Sequence, residues 1–259
     1  MITARRKPVR LQDLPGATVS EYDGVRYLHL GTIWVQGAMR IRSPHKLELD
    51  YAQRMMALLL WKPLPPGAAA HAVHLGLGSA TLTRFTHGPM RLARTTTVEL
   101  NPTVIGVARL YFRLPDDEPR LKVVQMDAGR WVADASHDGT ADLLFVDLYD
   151  QEAAAPVLDD EDFYHRCRAL LAPGGVMAVN LFGRHASFSG SLRRIAAAFG
   201  PGQVWHLAPT REGNAIVIGA NGITVPDRAE LLRRADWIAA TYKLPGRKWL
   251  NLVKGYRGR

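Results

Sequence analysis

The chain has a single cysteine, Cys167, among its 259 residues. That excludes an internal disulfide, argues against a thiolate metal site, and makes a reducing compartment the expectation. No apolar run approaches the roughly 18 uncharged residues of a membrane helix, and the first residues are charged without the apolar segment of a secretory signal. A soluble, cytoplasmic protein without membrane contact is expected. Acid is missing from both ends: residues 1–10 hold Arg5, Arg6, Lys7 and Arg10, and residues 243–259 hold Lys243, Arg247, Lys248, Lys254, Arg257 and Arg259, with no Asp or Glu in either. Those cations account for the whole net charge of +9, and basic tails are more often solvated ends than recognition surfaces. Nucleic acid is expected to bind at most non-specifically and salt-sensitively, through these tails.

What is present is 47% hydrophobic, enough for a substantial core. Residues 19–42 mix β-branched and aromatic residues with turn signals at Asp23-Gly24, Gly31 and Gly37, and read as two or three short antiparallel strands. A helical spacing (Leu47, Tyr51, Met55, Leu58, Leu59) follows over 44–62, and Pro63, Pro65, Pro66 and Gly67 make a linker over 63–70. Short apolar runs then alternate with amphipathic ones. The runs Ala72–Leu75, Thr96–Glu99, Lys122–Gln125, Leu143–Val146, Val176–Asn180, Val204–His206 and Ala215–Gly219 predict seven strands, the last two an antiparallel edge hairpin. Helices are predicted around 81–86, 103–112, 129–135, 159–171 and 187–199. This is the pattern of an α/β protein with a doubly wound, mostly parallel seven-stranded sheet and a small N-terminal antiparallel β appendage. The expected division is residues 1–43 (β appendage with basic arm), 44–225 (nucleoside-binding domain) and 226–259 (C-terminal helix and basic tail).

Chemistry gathers where the strands end. Gly76-Leu77-Gly78-Ser79-Ala80-Thr81 is a small-residue turn after the first strand of the sheet, able to admit a ligand close to the backbone, although the third glycine of a dinucleotide fingerprint is replaced by Thr81. Glu99 ends the second strand 23 residues past Gly76, where an acid can bind a ribose diol. Asp127-Ala128 closes the third strand: the carboxylate and a backbone N–H suit an adenine, and a helix N-cap is the alternative reading of Asp127. The fourth strand delivers Asp147 and Asp150, two acids able to hold a cation or take a proton from an amine.

The order GLGSAT, VELNP, QMDA, VDLYD and DFYHRCRALLAPGGVMAVNL resembles the polyamine aminopropyltransferases, the spermidine synthases, over roughly residues 20–220. The Leu171–Gly175 segment is shared with class I methyltransferases in general and supports only a Rossmann-like, methyltransferase-type fold. The resemblance implies aminopropyl transfer from decarboxylated S-adenosylmethionine to an amine, without a metal. It implies that Gly76, Gly78, Ser79, Glu99, Leu100, Asp127 and Ala128 hold the nucleoside co-substrate. Asp147 would orient and deprotonate the amine, helped by Asp150, with Tyr51 lining the channel. A homodimer is also implied.

The departures matter as much. Ser79 stands where the family has an aspartate that grips the amine end of the decarboxylated donor and repels the carboxylate of ordinary S-adenosylmethionine. Arg40 and Arg211 stand where a glutamine and a channel tyrosine are expected. All three make the pocket more positive, which disfavours a dicationic acceptor such as putrescine. Two alternatives stay open: a methyltransferase or nucleoside-binding protein using ordinary S-adenosylmethionine with a non-polyamine acceptor, and a catalytically silent dimeric interaction module. An oxidoreductase lacks a hydride-transfer acid. His71, His74 and His87 show no metal-ligand spacing and read as satisfied or exposed side chains.

Overall fold

The Asp23-Gly24 pair does what its composition allows: both residues have positive φ, +47° and +69°, and the turn they form pairs Tyr22 with Val25. The strands on either side, β1 (Ala17–Tyr22) and β2 (Val25–Leu30), join β3 (Gly37–Arg40) in a three-stranded antiparallel sheet. The computed structural model describes residues 14–148, 156–182 and 188–257. Arg5, Arg6, Lys7, Arg10, Asp150 and Arg259 lie outside these. The helix read over 44–62 is shorter than its spacing suggested. It begins at Asp50 after an extended Leu49, runs as α1 (Asp50–Met55), and tightens to a 3₁₀ turn over Met56–Leu60 in which every residue is buried. The turn closes on an i→i+3 bond from Trp61 N–H to Leu58 O at 3.0 Å, the tighter geometry common where a helix ends.

The main sheet contains β4 (His71–Leu75), β5 (Arg94–Glu99), β6 (Leu121–Gln125), β7 (Ala141–Val146), β8 (Leu171–Phe182), β9 (Val204–Leu207), β10 (Asn214–Ala220) and β11 (Val253–Gly255), in the order β11-β9-β10-β8-β7-β4-β5-β6. It therefore has eight strands where seven were expected. The eighth, β11, comes from the stretch read as a basic tail and pairs antiparallel with β9, Val253 opposite Leu207. Three residues, Val-Lys-Gly, carry too little alternation to announce a strand. Strands β6 to β8 of this order pair in parallel, while β10, β9 and β11 add the antiparallel edge.

Alternation along each strand divides the core. Ala72, Phe145, Ala178, Ile216 and Ile218 face α1, the 3₁₀ turn, α2 (Thr81–His87), α7 (Arg228–Tyr242) and α8 (Gly246–Leu252); Val73, Leu75, Leu144, Val146, Val179 and Val217 face α4 (Ala128–Val132), α5 (Glu161–Leu170) and α6 (Phe188–Phe199). Helix α3 (Pro102–Tyr111) packs over Leu77 and Leu121. The C-terminal stretch is no loose tail: Trp249 is fully buried, and Arg247 pairs with Asp236.

The sequence of connections positions the site. The chain leaves β4 for β5 and β6 on one side, then returns to β7 and β8 on the other. The carboxyl ends of β4 and β7 thus flank the point where strand order reverses, which is where an open α/β sheet leaves a crevice.

Candidate active site

Two strand ends meet in that crevice. Gly76 leaves β4 with φ +94°, and a Cβ there would strike the carbonyl oxygen of Asp147. Only glycine combines that backbone with that contact. Asp147 N–H in turn donates to Leu75 O at 2.9 Å, so the glycine turn and the catalytic candidate are held backbone to backbone.

Glu99 sits across the turn. Its Oε2 accepts from the N–H of Leu77 at 3.0 Å and its Oε1 from the N–H of Asn101 at 2.8 Å. Burial pushes its pKa up against these bonds and those from Leu100 and Gly78. A diol would have to share this carboxylate with those N–H groups. Leu100 is half-buried beside it. At the end of β6, Asp127 caps α4, its Oδ1 accepting from Arg130 N–H at 2.8 Å, and Ala128 is buried behind it. The N-cap alternative is thus realised in the geometry, and it leaves the second carboxylate oxygen for a ligand.

Asp147 is half-buried, and burial raises its pKa above the ordinary carboxylate range, opposed by hydrogen bonds from Asn180 and from the Tyr51 hydroxyl. Asn180 Nδ2 donates to Asp147 Oδ1 at 2.9 Å, and Asn214 Nδ2 donates to Asn180 Oδ1 at 3.2 Å. The structure thus brings Tyr51 from α1 to the carboxylate of β7, although 96 residues separate them. Asn180 and Asn214 were not singled out in the sequence, because one lies within an apolar strand run and the other opens a strand. Asp150 lies outside the described residues.

The three departures sit less uniformly than the sequence suggested. Ser79 is buried, its Oγ lying in the hollow left by Gly37 of β3 and bonded to Thr81 Oγ1 at 2.9 Å, which donates to Ala38 O at 3.0 Å. Its hydroxyl fastens the appendage to the glycine turn. Arg40 does not add net charge: its Nε and Nη2 donate to the two oxygens of Glu48 at 3.1 and 2.6 Å. That partner, eight residues on, cancels the expected positive field. Arg211 is exposed on the turn ahead of β10.

Beneath the turn lies a residue the sequence reading passed over. Arg84 of α2 is 1% exposed and donates through Nη1 to Ser79 O at 2.5 Å and Phe112 O at 2.6 Å, and through Nε to Pro44 O at 3.2 Å. Burial pulls its pKa down to about 9. It ties the glycine turn, α3 and the start of the α1 segment together without a carboxylate. His71 and His74 are buried and bonded to Thr96 and Thr86. Among the described residues no helix is long and apolar enough to cross a membrane.

Residues 83–189 match the family model of the spermine/spermidine synthase domain. A polyamine aminopropyltransferase of Chromobacterium violaceum is 30% identical over 251 residues, covering 96% of this chain and 94% of that protein. In three dimensions the chain is similar to a probable spermidine synthase from Corynebacterium glutamicum, with TM-score 0.71 and 19% identity over 94% of this chain and 93% of that one. It also resembles human methyltransferase-like protein 13 in complex with SAH, with TM-score 0.65 and 21% identity over 76% of this chain and 94% of that one.

Proposed function

The chain belongs to the polyamine aminopropyltransferase family, and on that premise we propose that the crevice between β4 and β7 moves the aminopropyl group of decarboxylated S-adenosylmethionine to an amine. The observation that carries this reading is Asp147: a half-buried carboxylate at the switch point, held by Asn180 and Tyr51, one backbone hydrogen bond from the glycine turn. The amine nitrogen attacks the methylene carbon next to the sulfonium. The carbon–sulfur bond breaks with its electron pair going to sulfur, methylthioadenosine leaves as a neutral thioether, and the proton lost by nitrogen passes to Asp147. Gly76, Gly78 and the backbone of Ser79 cradle the sulfonium tail, Glu99 and Leu100 hold the ribose, and Asp127 and Ala128 hold the adenine. Asp150 assists Asp147. Alignment and a neutral amine supply most of the acceleration, and no metal takes part.

The acceptor is a small amine carrying at most one further charge. Among the described residues near Tyr51 in the sequence, Glu48 is committed to Arg40 and Asp50 to Arg54 at 2.7 Å, so neither is free to receive a second ammonium.

A second reading is favoured by one specific observation. The glycine turn of residues 76–81 contains no carboxylate, and the buried Arg84 lies against its Ser79 carbonyl. Nothing there repels the carboxylate of ordinary S-adenosylmethionine, so poor discrimination between the two donor forms is expected. Calorimetric titration with both forms and with methylthioadenosine tests this. Affinities within about tenfold of one another, or about 1.4 kcal/mol, support it, and rejection of the ordinary form by a larger factor contradicts it.

We further read the protein as a cytoplasmic homodimer. The large exposed side chains of Ile33, Trp34 and Val35 on the connection from β2 to β3 support a self-contact there. Nucleic acid would bind only through the basic ends.

A further inference from the structure

Asn180 is the one polar side chain in the buried run of β8 from Val176 to Leu181, and it is 1% exposed. An apolar residue would fill that place without the cost of burying an amide. Its two ends are both used: Nδ2 on Asp147 Oδ1, and Oδ1 on Asn214 Nδ2. An amide donates from one end and accepts at the other, so two amides in line have a direction. Asn214, anchored at its N–H by the hydroxyl of the buried Thr210 at 3.2 Å, offers a donor to Asn180. An ionised carboxylate only accepts, so Nδ2 is the end of Asn180 that meets Asp147 and Oδ1 is left for the Asn214 donor. Were Asn180 to turn over, its oxygen would face a carboxylate oxygen, an unfavourable contact in a partly buried site.

We propose that Asn180 and Asn214 are positioning residues for the transfer, acting in series to hold the Asp147 carboxylate in one rotation and in its proton-accepting form as the amine arrives. The proposal rests on the aminopropyltransferase reading above. Asp147 is faced by Asn180 from β8, by the Tyr51 hydroxyl from α1 and by the backbone of Leu75 and Gly76 from β4. Tyr51 is the other titratable group in that set. Asn214 reaches the carboxylate through Asn180, its Nδ2 donating to Asn180 Oδ1 at 3.2 Å.

A series arrangement has a signature that packing lacks: removing the second member matters only while the first is present. The test compares full-length wild type, Asn180→Leu, Asn214→Leu and the double variant, leucine sharing asparagine's branching and heavy-atom count without its polar atoms. Methylthioadenosine release from decarboxylated S-adenosylmethionine is followed with n-propylamine and with putrescine. Asn180→Leu should lower kcat by about 10–100-fold, as loss of an orienting partner does, with donor KM within about twofold. Asn214→Leu should cost less, and the double variant should equal Asn180→Leu alone. Losses that multiply, or a fall confined to donor KM, would overturn the series. A second readout needs no turnover: the ¹³C carboxyl resonance of Asp147 should titrate at higher pH in each single variant, because a hydrogen bond to the charged form is lost or reversed. An unchanged titration overturns the proposal, and the half-buried Asn214 site keeps this test available where Asn180→Leu does not fold. A wild type that turns over neither amine contradicts the activity reading alone, and the titration still decides the role of the two asparagines.

Discussion

Glu99 holds the glycine turn in place, and in the proposed function it also binds the ribose. Its Oε2 accepts from the N–H of Leu77 and its Oε1 from that of Asn101, which holds the carboxylate at the end of β5. In Glu99→Gln an amide NH₂ would face one of those N–H groups, and methylthioadenosine should bind about 1.5–3 kcal/mol more weakly by calorimetry, the usual worth of a hydrogen bond to a charged group. Unchanged affinity would remove Glu99 from the site. This residue was legible because its place at a strand end, 23 residues past Gly76, has a chemical meaning. Asn180 was not, since an asparagine inside Val-Met-Ala-Val-Asn-Leu shows nothing of what it faces. Nor was the ion pair that cancels the charge of Arg40, because its partner Glu48 is brought to it by the way β3 leads into α1. Buried histidines give the residue scale a pH dependence. His71 and His74 are pulled from 6.5 to about 4 and about 3, mainly by burial, so the unfolded chain binds protons that the folded one refuses. Their contribution is present above pH 6.5 and lost as pH falls toward those values. For His74 alone the loss between pH 6.5 and 5 is about 2 kcal/mol. Urea unfolding should show His74→Leu losing less stability than wild type over that interval; equal losses would contradict a neutral, buried His74. The raised carboxyls of Glu99 and Asp147 act oppositely, favouring the folded chain at low pH and less so as pH rises through the carboxylate range.

Among elements, the glycine turn couples the most neighbours. β3 seats Gly37 on Ser79, Arg84 clasps the Ser79 carbonyl, and Gly76 touches the backbone of Asp147. Gly76→Ala adds a methyl against that carbonyl in a left-handed backbone, and unfolding stability should fall by about 2–4 kcal/mol, strain and overpacking together. Denaturation midpoints and methylthioadenosine affinity check it, and a variant as stable as wild type would mean that the turn yields without cost. Strands β4, β7, β8 and β10 were legible because burial on both faces writes apolar runs, and β5 because its Thr-Thr-Thr-Val run is β-branched. The short β11 and the 3₁₀ turn were not: one has too few residues to alternate, and the other has no exposed face.

For the whole molecule, the order β11-β9-β10-β8-β7-β4-β5-β6 places the ends of β4, β5, β6 and β7 along one rim, and with them Gly76, Glu99, Asp127 and Asp147. The sequence showed the strands and their order of chemistry, whereas the reversal that makes β4 and β7 neighbours is a property of the assembled sheet. In the proposed reaction that neighbourhood would let a donor held over β4 meet a base on β7. The deciding assay is methylthioadenosine release from decarboxylated S-adenosylmethionine in the presence of a small amine, by wild type and by Asp147→Asn, with donor affinity measured alongside. Wild type should turn over, and Asp147→Asn should lower kcat by about 10²–10⁴-fold, the usual range for loss of a general base, while binding methylthioadenosine as before. A wild type that releases none with any amine, or an Asp147→Asn variant as fast as wild type, would contradict it.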